Sequence, residues 1–209
     1  SPFVKDPQRK LSLGADRDEF VRRRKELRGV IGRKCTYMYC PGNHEKWLRG
    51  FLWRNAEELS ELPELQWYEF LKLSSFGAGW EDFSGNHEPV VDVGNLLVTH
   101  GHVARKPLGA SIRAMLDEYG QSVLFNHTHR MGWLPLTNAS HEIGGWENGC
   151  LCDKNLGHEY IRGSVRWQQG WSIVTVYSDG DFRVHPIHVV RVRTRKRIYL
   201  HEGIIEVSA

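Results

Sequence analysis

Apolar residues recur along this chain with two different periods, and the changes of period mark its elements. From Asp16 to Arg28, Phe20, Val21 and Leu27 form a partial apolar face among Arg and Glu, and Gly29 and Gly32 mark the end of a predicted helix. The polar residues from Ser1 to Leu13 read as a loop. Cys35 to Cys40 is a short β-rich run, broken by Pro41-Gly42. Helical spacing returns from His44 to Leu59, with Trp47, Leu48, Phe51, Leu52 and Leu59 on one stripe, and again from Glu64 to Leu73. Gly77, Gly79 and Gly85 make the next region loop-like. Val90 to Val93 and Leu96 to Thr99 flank Gly94-Asn95, which predicts a tight hairpin.

A helix from about Leu108 to Tyr119 and a strand from Ser122 to Phe125 follow. Met131 to Gly163 is rich in Gly, Asn, Trp and Cys and shows no clear period. Trp171 to Tyr177 and Phe182 to Val190 flank the Ser178-Asp179-Gly180-Asp181 turn and predict a second hairpin. Basic and apolar residues alternate after Arg191, and the run ends in Ile204-Ile205 and Val207. That pattern reads as an edge strand pair, with Arg191, Arg193, Arg195, Lys196 and Arg197 discouraging sheet-to-sheet pairing. The same stretch is the best candidate for nucleic-acid contact, through phosphates.

Composition narrows the classes. With 209 residues, 40% hydrophobic and 25% charged, one globular domain with a real core, or one domain with a small extension, is expected. No apolar run approaches the ~18 residues a membrane helix needs, so no membrane partner is expected. A net charge of +3 and a pI near 8.7 permit a phosphate-bearing substrate without requiring one. Cys35 and Cys40 share one predicted strand and are poorly placed to bond each other. A reduced, cytoplasmic protein is the plainer reading. The 11 histidines are the departure from ordinary composition.

Much of that histidine lies in three clusters: Gly42-Asn43-His44-Glu45, Thr99-His100-Gly101-His102 and Asn126-His127-Thr128-His129. Each follows an apolar run that reads as a strand, and strand ends are where α/β folds gather chemistry. The Asn43 amide oxygen is a neutral ligand for a divalent cation, and His44 beside it can bind metal or donate a proton. The plain alternative makes Asn43 a helix cap. In an extended segment His127 and His129 would point the same way and face one centre. Gly101 would let the backbone after His100 come close to a ligand. His102 fits a surface or supporting role better than direct ligation.

Taken together and in this order, the three clusters resemble the calcineurin-like metallophosphoesterase superfamily. The Lys5-Asp6-Pro7 opening, the Trp-rich helix after Gly42-Asn43-His44-Glu45, and Trp167-Gln168-Gln169-Gly170 before a strand look like its phage and prophage members. The resemblance implies an α/β fold, a two-sheet β-sandwich flanked by helices, with residues 1–209 forming the C-terminal portion of a single domain. It implies hydrolysis of a phosphomonoester or phosphodiester, with nucleotide or nucleic acid as a possible substrate, by two divalent ions of Mn, Fe or Zn type. It places Asn43, His100 and His127 on one metal and His129 on the other. His44 becomes the catalytic residue that protonates the leaving group or stabilises the phosphate. For a phage-encoded member the setting is the host cytoplasm.

The sequence departs from that family in two ways. Asn126 stands where the family usually has Gly, a mild change because Asn tolerates positive φ. The family's Asp-x-His and Gly-Asp-x-x-Asp motifs, each following a strand, do not occur here. Asp6, Asp16 and Asp18 sit in a polar loop or a helix start. The expectation is that an upstream segment supplies the Asp and His ligands, and that this segment alone holds at most one metal well and turns over weakly. Ser1 is a residue type that can follow a protein-splicing junction, so an intein-interrupted gene is one expected origin.

Other features support competing readings. Gly85-Asn86-His87-Glu88 repeats the first motif without a preceding strand and reads as coincidence. Cys150 and Cys152, with His141 and His158 nearby, offer zinc ligands at a spacing that matches no common knuckle. They would make the chain a zinc-structured nucleic-acid binder. A catalytically incomplete metal-binding or interaction fragment is the other alternative. Trp80, Trp133 and Trp146 fall in loop-like regions and could line a substrate cleft.

Overall fold

The computed structural model describes residues 12–32, 34–85, 87–137, 142–152, 166–192, 195–200 and 203–207. The chain divides into two compact units, Ser1–His87 and Glu88–Ala209.

In the first unit Ser12 starts helix α1 (Leu13–Ile31): its hydroxyl accepts from the Ala15 N–H at 3.3 Å. The helix therefore begins three residues before the predicted Asp16. It ends at Gly32, whose φ of +79° no β-carbon opposes. Its anchor is a charge that the apolar pattern did not predict. Arg24 is only 3% exposed, and its guanidinium lies 3.7 Å from the Phe76 ring centre. It donates to the Leu71 and Lys72 carbonyls at 3.1 and 2.8 Å. Those carbonyls lie just beyond α3 (Trp67–Phe70), so the buried cation caps a helix end, where positive charge is favoured.

The strand β1 (Tyr37–Tyr39) is shorter than predicted and runs parallel to β2 (Ala78–Trp80), a strand inside the predicted loop. Helix α2 spans Asn43–Asn55, and the rest of the predicted stripe continues as a 3₁₀ turn at Glu57–Leu59. The second predicted helix breaks up: Pro63 opens a separate 3₁₀ turn, Gln66 is extended, and Lys72 takes a φ of +54°. The core here is largely aromatic. Trp67 is 2% exposed, packs edge-on to Phe83 and Tyr68, and donates its indole N–H to Asp82.

The second unit opens with the predicted hairpin, β3 (Val90–Val93) and β4 (Leu96–Thr99), turning at Gly94 with a φ of +62°. Helix α4 (Ala110–Tyr119) then carries the chain to β5 (Val123–Phe125). The unreadable stretch supplies two strands, β6 (Met131–Thr137) and β7 (Glu142–Asn148). The result is a five-stranded mixed sheet in the order β3-β4-β5-β7-β6, with β4, β5 and β7 parallel. All three residues of β5 are buried, as expected for a central parallel strand. Ile112, Met115 and Leu116 of α4 pack on Leu97, Val123, Phe125 and Ile143. Gly145 admits the helix: a β-carbon there would stand 2.3 Å from Ile112.

A second sheet holds β8 (Gln169–Val176), β9 (Phe182–Val192), β10 (Arg195–Leu200) and β11 (Gly203–Val207), in the order β11-β10-β9-β8. The predicted second hairpin is β8 and β9. The basic stretch is not at an edge: β10 pairs with both β9 and β11, and β11 is the outer strand. The two sheets meet where Trp146 packs edge-on to Phe182 at 5.8 Å and where the Asn95 N–H bonds the Gly180 carbonyl at 2.8 Å.

Trp133 and Trp146 sit opposite each other on β6 and β7, not in loops. They line a cleft of about 710 Å³ with Ser122, Pro135, Phe182 and Pro186. Ser122 precedes β5 and His127 follows it, so this cleft lies at the opposite end of that strand from the histidines. Trp80 belongs to the core of the first unit.

Candidate metal centre

His100 follows β4 and His127 follows β5. The strands are adjacent and parallel, so both residues emerge at the same edge of the sheet. The backbone fixes them further, since the Asn126 and His127 N–H groups both donate to the His100 carbonyl, at 3.1 and 2.9 Å. His127 Nδ1 then lies 3.2 Å from His100 Nε2. Gly101 has a φ of +85°, and a β-carbon there would stand 2.9 Å from the Phe125 ring. Its bareness lets the His100 loop lie flat on β5, a packing role that the residue pattern had assigned to ligand approach.

His129 does not continue in an extended line from His127. Residues 126–129 form a turn closed by the His129 N–H on the Asn126 carbonyl at 3.0 Å, and His129 takes a φ of +56°. The period-two argument for a common facing direction therefore fails here. The His129 ring packs edge-on to Trp167 at 4.3 Å between centroids. With Cys150 and Cys152 it offers three ligand atoms that all lie within 4.8 Å of one another, a possible metal-binding cluster. His141 and His158, the partners expected for the cysteines, lie outside the described residues. His102 stands apart from these groups and pairs with Glu118 at 3.1 Å.

Behind the turn lies an ion pair that the sequence reading missed. Arg130 donates to Glu147 at 2.8 Å, and the Glu147 side chain is fully buried. Arg130 also donates to the Ser111 hydroxyl at 3.1 Å, which in turn accepts from the Arg105 N–H at 2.8 Å. Gly132 faces Glu147 across the β6 and β7 pair, and a β-carbon there would come within 3.1 Å of the carboxylate. The only sequence signal was position: Arg130 directly follows the third cluster, and Glu147 directly precedes Asn148-Gly149-Cys150. Arg130 also lines a cleft of about 360 Å³ with Lys106, Leu108, Arg166, Trp167 and Gln168. Trp167 is thus both a wall of this basic cleft and the neighbour of His129.

In the first unit Asn43 is the first residue of α2, and Gly42 is the N-cap, so the capping reading of Asn43 does not hold. Glu45 instead closes the helix start, accepting from the Gly42 N–H at 2.8 Å and the Tyr39 hydroxyl at 2.9 Å. Burial, and then the Glu45 carboxylate, push the Tyr39 hydroxyl well above its ordinary pKa, so it remains a donor. His44 is exposed and stacks on Trp47 at 4.7 Å. In the repeated motif Asn86 lies outside the described residues, and the His87 N–H bonds the Ser84 carbonyl.

No family model matches the chain, and no solved structure matches it. The chain is 28% identical over 146 residues to the Gene 54 protein of Mycobacterium phage L5, covering 65% of this chain and 54% of that protein. It is 35% identical over 95 residues to the Gene 54 protein of Mycobacterium phage D29, covering 41% of this chain and 36% of that protein. The chain thus spans about half the length, or less, of the relatives it matches, and the similarity points to a phage origin. Among the described residues no helix is long and apolar enough to cross a membrane.

Proposed function

We propose that this chain belongs to a metallophosphoesterase domain, a two-sheet sandwich flanked by helices, that hydrolyses a phosphomonoester or phosphodiester. The carrying observation is the His100 and His127 pair at the ends of two adjacent parallel strands. Two imidazole nitrogens bound to one ion at about 2.0–2.1 Å stand about 2.9–3.3 Å apart for angles between 90° and tetrahedral. The observed 3.2 Å fits that separation. The donors are neutral and nitrogenous, which suits Fe or Zn, while Mn would call for added oxygen ligands.

When bound, such an ion polarises a phosphoryl oxygen and lowers the pKa of a coordinated water. The chain's own residues then have definite tasks. His100 and His127 would hold one ion through their facing ring nitrogens. In the first unit His44, exposed at the start of α2, offers an imidazole of the kind that serves as a proton donor. The basic cleft of Lys106, Arg130 and Arg166 offers charge-assisted hydrogen bonds to an anionic substrate, and Trp167 offers a stacking face. A second cation close by would also need carboxylates to offset the mutual repulsion.

The test is hydrolysis of bis(p-nitrophenyl) phosphate with Mn²⁺ by the complete gene product containing these residues. His127→Ala is expected to lower kcat/KM on the order of 100-fold or more, with bound metal lost in parallel. An unchanged kcat/KM in that variant would refute the proposal. The 209 residues alone are expected to turn over far more slowly than the complete product.

A further inference from the structure

We propose that His129, Cys150 and Cys152 form a thiolate-rich site for a zinc-class ion, distinct in chemistry from the all-imidazole pair. Three separate stretches build it: the turn after β5, the end of β7 and the residues just before β8. Their backbones are tied together around the donors. The Gln168 N–H bonds the His129 carbonyl at 2.8 Å, and the Cys150 N–H bonds the Gln168 carbonyl at 3.0 Å. The Gly170 N–H returns to the Cys150 carbonyl at 3.0 Å, and the Gln169 amide donates to the Cys152 carbonyl at 2.9 Å. His129 and Cys150 are thus held by a ladder of main-chain bonds and Cys152 by the Gln169 side chain, so the donors are not loose surface groups.

Two backbone features support a built site. Gly149 takes a φ of +61°, and a β-carbon there would stand 2.6 Å from Met131 Sδ and 2.9 Å from the Gln168 carbonyl. Only glycine lets β7 swing Cys150 and Cys152 back toward the turn. His129, a β-carbon-bearing residue, is held at a φ of +56°. Such a conformation is unfavourable for a residue with a β-carbon and persists where the surroundings fix it, often at ligand sites.

The donor set determines the kind of ion. Zn–S bonds of about 2.3 Å and Zn–N bonds of about 2.0–2.1 Å place tetrahedral donors about 3.5–3.8 Å apart. Donors now within 4.8 Å of one another need to close by about 1 Å, a shift within reach of the cysteine side-chain torsions. Two thiolates and one imidazole favour zinc or another soft ion over Mn²⁺ or Mg²⁺. Binding releases one proton from each thiol and changes no oxidation state, and the two thiolate charges neutralise the dication. The fourth tetrahedral position is left to solvent or to a further donor.

Cobalt substitution tests this without an activity assay. The full chain, reduced and stripped with chelator, is titrated with Co²⁺. A near-ultraviolet thiolate-to-cobalt charge-transfer band that saturates at one equivalent, and that zinc displaces, is the expected result. The band survives in Cys35→Ser/Cys40→Ser and disappears in Cys150→Ser/Cys152→Ser. If that double variant does not fold, Cys152→Ser alone is expected to retain about half of the band. No band in folded wild-type chain overturns the proposal, as does a band that follows Cys35 and Cys40. His100→Ala/His127→Ala should leave the band intact while removing the hydrolysis proposed above, so either idea can fail alone.

Discussion

The two units hold their candidate chemistry by different means. In the first, His44 stands exposed on the opening turn of α2, and its position depends on one carboxylate, Glu45, which ties the helix start to Tyr39. The core behind it is aromatic, with rings meeting edge to face around Trp67. In the second, His100, His127 and His129 sit on turns fixed by main-chain bonds, above a largely aliphatic layer that includes Phe125 and beside a buried ion pair. A metal centre needs several donors held together at once, so it demands rigid, over-determined backbone. A residue that acts singly can ride on a helix end.

The sharpest way to break this contrast is Glu147→Ala. It leaves Arg130 buried with its charge uncompensated, and a loss of about 3–5 kcal/mol is expected in urea unfolding. A loss below about 1 kcal/mol would show that the ion pair does not brace the second unit. Next in size is Gly101→Ala. A methyl group there meets Phe125 at 2.9 Å with φ at +85°, so about 1–3 kcal/mol should be lost. Under the proposed metal binding, affinity at His100 should fall with it, as calorimetry would show. If stability and affinity are both unchanged, the His100 loop does not depend on close packing.

The smallest effect should be in the first unit. Glu45→Ala removes one capping acceptor and the partner of the Tyr39 hydroxyl, and about 1 kcal/mol is expected from thermal unfolding. Alkali sharpens the same point. Because burial raises Tyr39 in the folded state, the unfolded chain ionises this tyrosine first. Its contribution is complete below about pH 10 and declines as pH rises beyond that. A wild-type chain whose unfolding midpoint is flat between pH 9 and 11 would contradict this account.

What could be read from the sequence was local. The β3 and β4 hairpin followed from alternation around Gly94-Asn95, and α4, β5 and the β8 and β9 hairpin from runs whose period is unmixed. Sequence order alone named His100 and His127, because each closes an apolar strand. Local pattern found α1 but cut it short at both ends, and it did not name the anchor Arg24, a cation buried only because carbonyls and rings from distant residues surround it. It missed β2, β6 and β7, where Gly and Trp weaken the period while pairing partners elsewhere supply the hydrogen bonds. It also treated His127 and His129 as one facing pair, since a left-handed residue in a turn leaves no trace in a two-letter pattern.

The sequence by itself determined which residue types were available: imidazoles at strand ends, a Cys-x-Cys pair and a mildly basic chain. Only the tertiary structure decided the partnerships. Parallel pairing of β4 and β5 set His100 against His127. The turn at His129 and the swing at Gly149 set an imidazole beside two thiols. Arg130 reached Glu147 because Gly132 leaves room between adjacent strands. Such pairings join residues separated by about 17 to 27 positions, and no periodicity of two or 3.6 carries information over that distance.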